Sequence, residues 1–121
     1  MKKTELGAWG EKQAAKALER TGFRIVERNF RTRFGEIDLI ARKEVILAFV
    51  EVKLRKNTEY GSAREFVTSS KQRKIRLAAE SYLCCRAWTQ ELQPRFDVIE
   101  VYAPLGAEGK AEIIHLEDAF E

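Results

Sequence analysis

Three charged side chains interrupt two apolar segments of this chain, and they are the residues best suited to chemistry. The segment GEIDLIA at residues 35–41 carries Asp38, and FVEVK at residues 49–53 carries Glu51 and Lys53. An unpaired charge inside an apolar strand costs several kcal/mol, so such residues are expected to serve a purpose. Carboxylate oxygens are natural ligands of Mg²⁺, and Lys53 could orient an attacking water or stabilise a transition state. The pattern therefore predicts carboxylate and metal chemistry on a phosphate.

A hairpin must bring these residues together. The apolar pattern predicts strands over residues 36–42 and 45–54 with a short connection, hence an antiparallel pair. Side chains alternate between faces, so Glu51 and Lys53 share one face, about 6.6 Å apart. Asp38 meets Glu51 if the numbers of paired residues sum to an odd value such as 89. No Asn-Gly or Gly-Gly turn specifies that register, and a surface Glu–Lys pair at a strand end is the alternative.

The remaining pattern predicts one domain over residues 1–121 with the element order αβββαββ. Further predicted elements are a helix over 5–21, a strand over 23–31, a loop over 55–66, a helix over 68–87, and strands over 95–102 and 111–116. Gly22 is placed to end the first helix, and Thr68 begins a segment typical of a helix start. The fold class is α/β (α+β), with helices covering a mixed sheet.

Glu11 is the exception on the first helix, because it falls within the apolar arc of glycines, alanines and leucines. A buried acid in that position needs a partner. One interpretation is an ion pair with an arginine of the sheet. The other is a third carboxylate that reaches the metal directly or through a water.

A basic segment follows the hairpin. Residues 53–76 hold eight Lys and Arg against two Glu, although the whole chain has a net charge of only +3. This distribution indicates an anion-facing surface, or else a solvated helix face. On the second helix Lys71 lies on the side expected to pack, where it could join helix N-terminal N–H groups in holding a phosphate. The residues predicted to contact nucleic acid are Arg55, Lys71, Arg73, Lys74 and Arg76.

The sequence offers few residues or motifs for other kinds of catalysis. His115 is the single histidine, and neither of the glycine-rich phosphate-binding motifs GxGxxG and GxxxxGK[ST] occurs. Cys84 and Cys85 are adjacent on a predicted helix, point in different directions and are expected to be buried, reduced side chains. The N-terminus lacks an apolar signal-peptide region, and no run approaches the ~20 apolar residues of a membrane span. We therefore expect a cytoplasmic location.

The ordered set of these motifs resembles the PD-(D/E)xK nuclease superfamily, and more closely the bacterial YraN-like family, which is related to archaeal Holliday-junction resolvases. The matching pieces are GAWGE at 7–11, Asn29, GEIDLI at 35–40, FVEVKLR at 49–55, Gly61, Lys71, RFDV at 95–98, and AF at 119–120. Ile37 stands where the superfamily name has proline.

The resemblance implies a restriction-endonuclease-like fold. It also implies that Asp38 and Glu51 bind Mg²⁺ or Mn²⁺, that Lys53 is catalytic and that Glu11 completes the site. Resolvases often act as dimers, so a homodimer is a further expectation, with Trp88, Phe120 or the acidic tail available for an interface.

Two functional hypotheses follow. The first is a metal-dependent nuclease that hydrolyses phosphodiester bonds in DNA, including structured or branched DNA. The second is a non-catalytic module that binds nucleic acid or a protein partner on the same fold. A purely structural role, with the charges forming internal ion pairs, is the third reading of the same residues.

Overall fold

The computed structural model describes residues 3–56 and 67–121, which form two helices around a five-stranded sheet. The elements are α1 (Lys3–Arg20), β1 (Arg24–Arg31), β2 (Glu36–Lys43), β3 (Ile46–Arg55), α2 (Ser69–Cys84), β4 (Gln93–Tyr102) and β5 (Glu112–Phe120). Single 3-10 turns lie at Ala87–Thr89 and Gly106–Glu108. The predicted order αβββαββ and the mixed α+β class are confirmed. Most of the predicted loop over 55–66, including Gly61, lies outside the described residues.

The β2–β3 hairpin has the register that the site requires. Lys43 pairs with Ile46 and Leu39 pairs with Val50, so the numbers of paired residues sum to 89 throughout the ladder. The connecting turn is only two residues long, and Glu44 adopts a left-handed φ of 55° within it. A two-residue connection leaves no room for a slip, and therefore this turn sets the facing of every side chain in both strands.

The sheet is mixed because one connection crosses over. The strand order is β1-β2-β3-β4-β5; β3 and β4 run parallel and every other pair is antiparallel. A parallel pair needs a long crossover, and α2 lies within the connection from β3 to β4.

Alternation along β3 divides the core between the two helices. Leu47 and Phe49 pack with the buried face of α2, whereas Ala48 and Val50 pack with that of α1. The buried residues of α2 are Ile75, Ala78, Ala79 and Tyr82, and those packing from α1 include Ala14, Ala15 and Leu18. Glu51 and Lys53 continue the odd-numbered row of β3 and therefore lie on the α2 side of the sheet.

Local chemistry explains where the helices end. Gly22 has a φ of +97°, and the N–H groups of Gly22 and Phe23 donate to Glu19 and Leu18 carbonyls at the end of α1. At the start of α2 the Thr68 hydroxyl accepts a hydrogen bond from the Lys71 N–H at 3.2 Å.

The last strand is longer than its apolar pattern predicts. Asp97 is fully buried on β4, and its carboxylate accepts hydrogen bonds from Arg95, from the Asp118 N–H and at 2.7 Å from the His115 ring. These bonds hold the residues after 116 against β4, so β5 continues to Phe120 although the register of the β4–β5 ladder shifts there.

Both cysteines are free, as predicted, but their predicted burial was wrong. Cys84 and Cys85 are both exposed, and their Sγ atoms lie 3.3 Å apart rather than pointing in different directions. The predicted helix over 68–87 would have carried Cys85 onto the buried face, three residues after Tyr82. Because α2 ends at Cys84, Cys85 does not continue that face.

Among the described residues, no helix is both long enough and apolar enough to cross a bilayer.

Candidate active site

The site forms where β2 and β3 separate. Backbone pairing between the strands extends to Leu39 and Val50, and beyond that point the Val52 N–H donates to Asp38 Oδ2 at 2.8 Å. The Asp38 side chain thus takes the place of a backbone carbonyl at the end of the ladder. This bond satisfies a strand N–H and holds the carboxylate next to Glu51.

The separated strands and the start of α2 enclose an open cleft of about 140 Å³. Its lining residues come from β2, β3, α2 and the turn before β2, and they are Gly35, Glu36, Asp38, Glu51, Lys71, Lys74 and Ile75. The two hairpin acids therefore face one space, as the predicted register requires. Glu51 lies at its base, since its residue is only 5% exposed.

Asp38 is the most perturbed acid of this cleft. Burial and the negative charges of Glu51 and Glu11 together raise its pKa from 3.8 to about 7, against the opposing effects of the Val52 N–H and Lys71. Near neutral pH the folded protein thus holds Asp38 close to its midpoint of ionisation. A carboxylate destabilised by burial and by like charge is a place where a cation binds favourably.

Two lysines balance the acids. Lys71 reaches across from α2 and forms an ion pair with Glu51 Oε1. Burial disfavours the Lys71 ammonium, yet its hydrogen bond and attraction to Glu51 raise its pKa overall. The pKa of Lys53 shifts in the opposite direction, because burial and the neighbouring Lys71 charge both lower it. Near Glu51 there is therefore one firmly charged ammonium, that of Lys71, and one that loses its proton more readily, that of Lys53.

Glu11 is the acid that α1 contributes near the hairpin. It lines an adjoining cleft of about 380 Å³ between α1 and β1, not the cleft of Asp38 and Glu51. The two spaces are connected by Asn29, whose amide nitrogen, turned toward the acids, donates to Glu11 Oε1 at 2.8 Å and to Glu36 Oε1 at 3.2 Å. Burial raises the pKa of Glu11, as do the charges of Glu36 and Glu51.

Both interpretations of Glu11 thus retain support. The positive charges of Arg28 and Arg31 oppose this increase in the pKa of Glu11, which fits the ion-pair interpretation. Its charge also acts on Asp38, so it contributes to the field of the site from the neighbouring cleft.

Glu36 and Asn29 are site residues that the sequence reasoning missed. Glu36 shares the predicted face of Asp38, and that alternation was the available signal. Asn29 has a left-handed φ of 51° within β1, which asparagine tolerates better than most residues. Its position between two acids depends on the docking of α1 onto the sheet, and sequence offers no signal for that.

The predicted nucleic-acid contacts divide into two groups. Lys74 lines the cleft, Lys71 forms its wall and Arg73 is exposed on the same turn of α2. Arg55 is only 9% exposed and pairs with Glu100 at 3.2 Å, so its guanidinium belongs to the interior. Arg76 donates to the carbonyl of Glu121 at 2.9 Å, beside the end of β5 and away from the acids.

The two aromatic residues expected at a dimer interface differ in how exposed their side chains are. Trp88 is 45% exposed, whereas the Phe120 ring stacks on Phe96 with centroids 5.1 Å apart.

A magnesium ion fits this donor set as a partly hydrated ion. Within residues 3–56 and 67–121, no three acidic, histidine or cysteine side chains are grouped closely enough to enclose a metal. Mg²⁺, however, commonly binds through one or two carboxylates, with water and substrate phosphate completing the octahedron. Asp38 and Glu51 provide those two groups, and the charge repulsion between them is what a dication would relieve.

Comparison with known proteins gives a family match. The profile described as "Uncharacterised protein family UPF0102" matches residues 10–101. A UPF0102 protein of Syntrophomonas wolfei is 43% identical over 118 residues, which cover 96% of this chain and 97% of the relative. UPF0102 proteins of Rhodococcus jostii and Syntrophotalea carbinolica are 47% and 46% identical, covering 95% and 96% of this chain and 95% and 91% of the relatives.

Proposed function

The chain belongs to the UPF0102 family, and from its cleft we propose that it is a metal-dependent nuclease that hydrolyses phosphodiester bonds in DNA. One observation carries the proposal: Asp38 and Glu51 share an open cleft with Lys71, and the pKa of Asp38 is raised to about 7. A structural ion-pair network would be expected to lower the pKa of a buried acid, as the partners of Asp97 do. In the part of the chain that the structure describes, the Asp38 carboxylate instead forms no ion pair, and the charge of Lys71 only partly offsets its burial.

Asp38 and Glu51 would hold Mg²⁺ or Mn²⁺. The ion would supply charge neutralisation at the phosphate and a more acidic water.

The charged rim suits a polyanionic substrate. Lys74 and the exposed Arg73 lie on the first turns of α2, beside the acids at the base of the cleft. Cations at this position would attract and position the DNA backbone, while the acids repel it unless a cation is present. The scissile phosphate would thereby be directed to Asp38 and Glu51, which would hold the metal beside Lys71.

The lysines take distinct roles in the reaction. In hydrolysis a water adds to phosphorus, the P–O bond to the leaving sugar oxygen breaks, and the leaving oxygen gains a proton. Lys53, whose pKa is lowered by burial and by Lys71, is suited to orient the water and exchange a proton with it. Lys71 retains its charge and would stabilise the negative charge that develops on the phosphate oxygens.

DNA cleavage assays test the proposal. Purified protein is incubated with supercoiled, linear and four-way-junction DNA in the presence of Mg²⁺ or Mn²⁺. We expect Asp38→Asn and Glu51→Gln to reduce the cleavage rate by about 100-fold or more, since each removes a charge from the reacting site. The matched control is Glu44→Gln, which changes an exposed acid at the far end of the same hairpin. Cleavage by Asp38→Asn at the wild-type rate would refute the assignment.

A second candidate, a DNA-binding module without catalysis, is favoured by the ion pair of Lys71 with Glu51. This pair already neutralises one of the proposed ligands. The module predicts binding that weakens steeply with salt and no cleavage with any divalent metal. Replacement of Lys74 by alanine would then weaken binding to all sequences equally.

A further inference from the structure

The turn between β1 and β2 presents an aromatic side chain beside the cleft. The Thr32 N–H donates to the Gly35 carbonyl at 2.8 Å, and the Thr32 hydroxyl accepts from the N–H groups of Phe34 and Gly35 at 3.0 and 3.2 Å. We call residues 32–35 the Thr32–Gly35 turn. These three bonds determine its backbone conformation before any ligand arrives.

The turn is also held against α2. A Cβ added to Gly35 would lie 3.0 Å from the Lys74 side chain and 3.1 Å from its carbonyl oxygen. This close approach places the turn next to Lys74, itself a lining residue of the cleft. Phe34 precedes Asp38 by four residues, a chain length of at most about 14 Å. One bound strand can therefore contact both positions.

Phe34 is exposed although it is large and apolar. Its residue is 42% exposed, and the Arg33 guanidinium lies 4.8 Å from the ring centroid. The pair therefore combines a planar apolar surface with a positive charge that lies over one face of the ring. An aromatic ring with an adjacent arginine suits an unpaired nucleobase, which stacks on the ring, and its phosphate, which meets the charge.

We propose that Phe34 is a stacking site for an unpaired base, so that the substrate class is DNA with unpaired nucleotides next to the scissile phosphate. This inference rests on the proposed action on DNA. A base within a continuous duplex has both faces covered by its neighbours and cannot stack on Phe34. Ends, flaps, gaps and branch points expose such a face, and the preformed turn lowers the entropic cost of capturing it.

Binding measurements without metal test the site independently of cleavage. The full chain is titrated, in the presence of a chelator, against a duplex with a single-stranded overhang and against a blunt duplex. The overhang contains a fluorescent adenine analogue that is quenched by stacking. We expect Phe34→Ala to weaken binding to the overhang DNA by about 5- to 150-fold and to abolish the quenching, because stacking contributes ~1–3 kcal/mol per base. Binding to blunt duplex should be nearly unchanged.

Two variants serve as controls. Phe34→Tyr keeps an aromatic face and should retain affinity and quenching. Trp88→Leu removes another exposed aromatic residue, whose ring centroid lies 6.0 Å from the Arg42 guanidinium. Arg42 is at the opposite end of β2 from the cleft. This variant should bind both DNAs as the wild type does.

The outcomes separate this inference from the proposed function. If Phe34→Ala binds overhang DNA as tightly as wild type, or weakens both DNAs equally, the stacking site is refuted even where cleavage is observed. If Phe34→Ala loses overhang binding while no metal supports cleavage, the stacking site stands and the nuclease proposal falls. Absence of wild-type binding to the overhang DNA in the chelator overturns the stacking site, and the nuclease proposal is then decided by the cleavage assay with Mg²⁺ or Mn²⁺.

Discussion

Replacing Asp38 by asparagine should make the protein more stable above neutral pH, although it removes a side chain proposed to be essential. Asparagine keeps an oxygen that can accept the Val52 N–H bond, now 2.8 Å long, and removes only the charge. An acid whose pKa is higher in the folded state binds more protons there than in the unfolded chain. The wild type therefore loses stability as pH rises from the unfolded pKa toward the folded one, and the penalty is complete above about pH 7.

The magnitude follows from the two pKa values. The difference between 3.8 and about 7, at about 1.4 kcal/mol per pH unit, sets an upper bound of about 4 kcal/mol. We expect about 1–3 kcal/mol at pH 8, because water and Lys71 can approach the ionised carboxylate. At about pH 3 the pH lies below both pKa values and the carboxyl is mostly protonated in the folded and the unfolded chain, so the gain should be close to zero.

Urea denaturation followed by circular dichroism, at about pH 4.5, 6 and 8, measures this effect. The difference in free energy of unfolding between Asp38→Asn and wild type should grow with pH, while Glu44→Gln shows no such trend. A destabilised Asp38→Asn protein, or a difference independent of pH, would refute the reasoning. Mg²⁺ should raise the stability of the wild type at pH 8 and leave the variant unchanged, because only the wild type would bind it.

Three further predictions follow from contacts of the described residues. Lys71→Met removes the ammonium that competes with a metal for the Glu51 carboxylate, an ion pair of ~1 kcal/mol. In a calorimetric titration Mn²⁺ should therefore bind about fivefold more tightly to this variant, and an unchanged isotherm would contradict the prediction. Glu100→Ala removes one ion-pair partner of the buried Arg55 and should lower the free energy of unfolding by about 1–3 kcal/mol, and an unchanged free energy of unfolding would oppose it. Cys84 and Cys85 should both react with a thiol reagent in the native state, whereas labelling only after denaturation would show that they are buried.

Local sequence was sufficient to predict the elements and the faces of the hairpin. Apolar alternation along residues 45–54 assigned Glu51 and Lys53 to one face, and the same pattern appears in how β3 packs against the two helices. Gly22 and Thr68 end and begin helices where predicted, because a left-handed residue and a side-chain cap act within a few residues of chain. Such features depend on near neighbours alone.

Side-chain partners across the sheet depended on tertiary structure. Arg55 was predicted to contact nucleic acid, yet parallel pairing of β3 with β4 places Glu100 beside it and makes it an interior residue. Glu11 was expected either to pair with an arginine of the sheet or to reach the metal directly or through a water, and the docking of α1 sets it in the adjoining cleft, bonded to Asn29. Neither outcome could be read from spacing, because both join segments distant in sequence.

The sequence by itself determined which residues carry charge in apolar strands, on which face each lies, and in which order the elements follow. Only the tertiary structure decided that the ladder stops at Leu39 and Val50, so that Asp38 turns its carboxylate to the Val52 N–H, and that Lys71 crosses from α2 to Glu51. Alternation and capping act through the backbone over a few residues. Burial and charge coupling depend on every element packed around a site, and they decide which of its charges are satisfied.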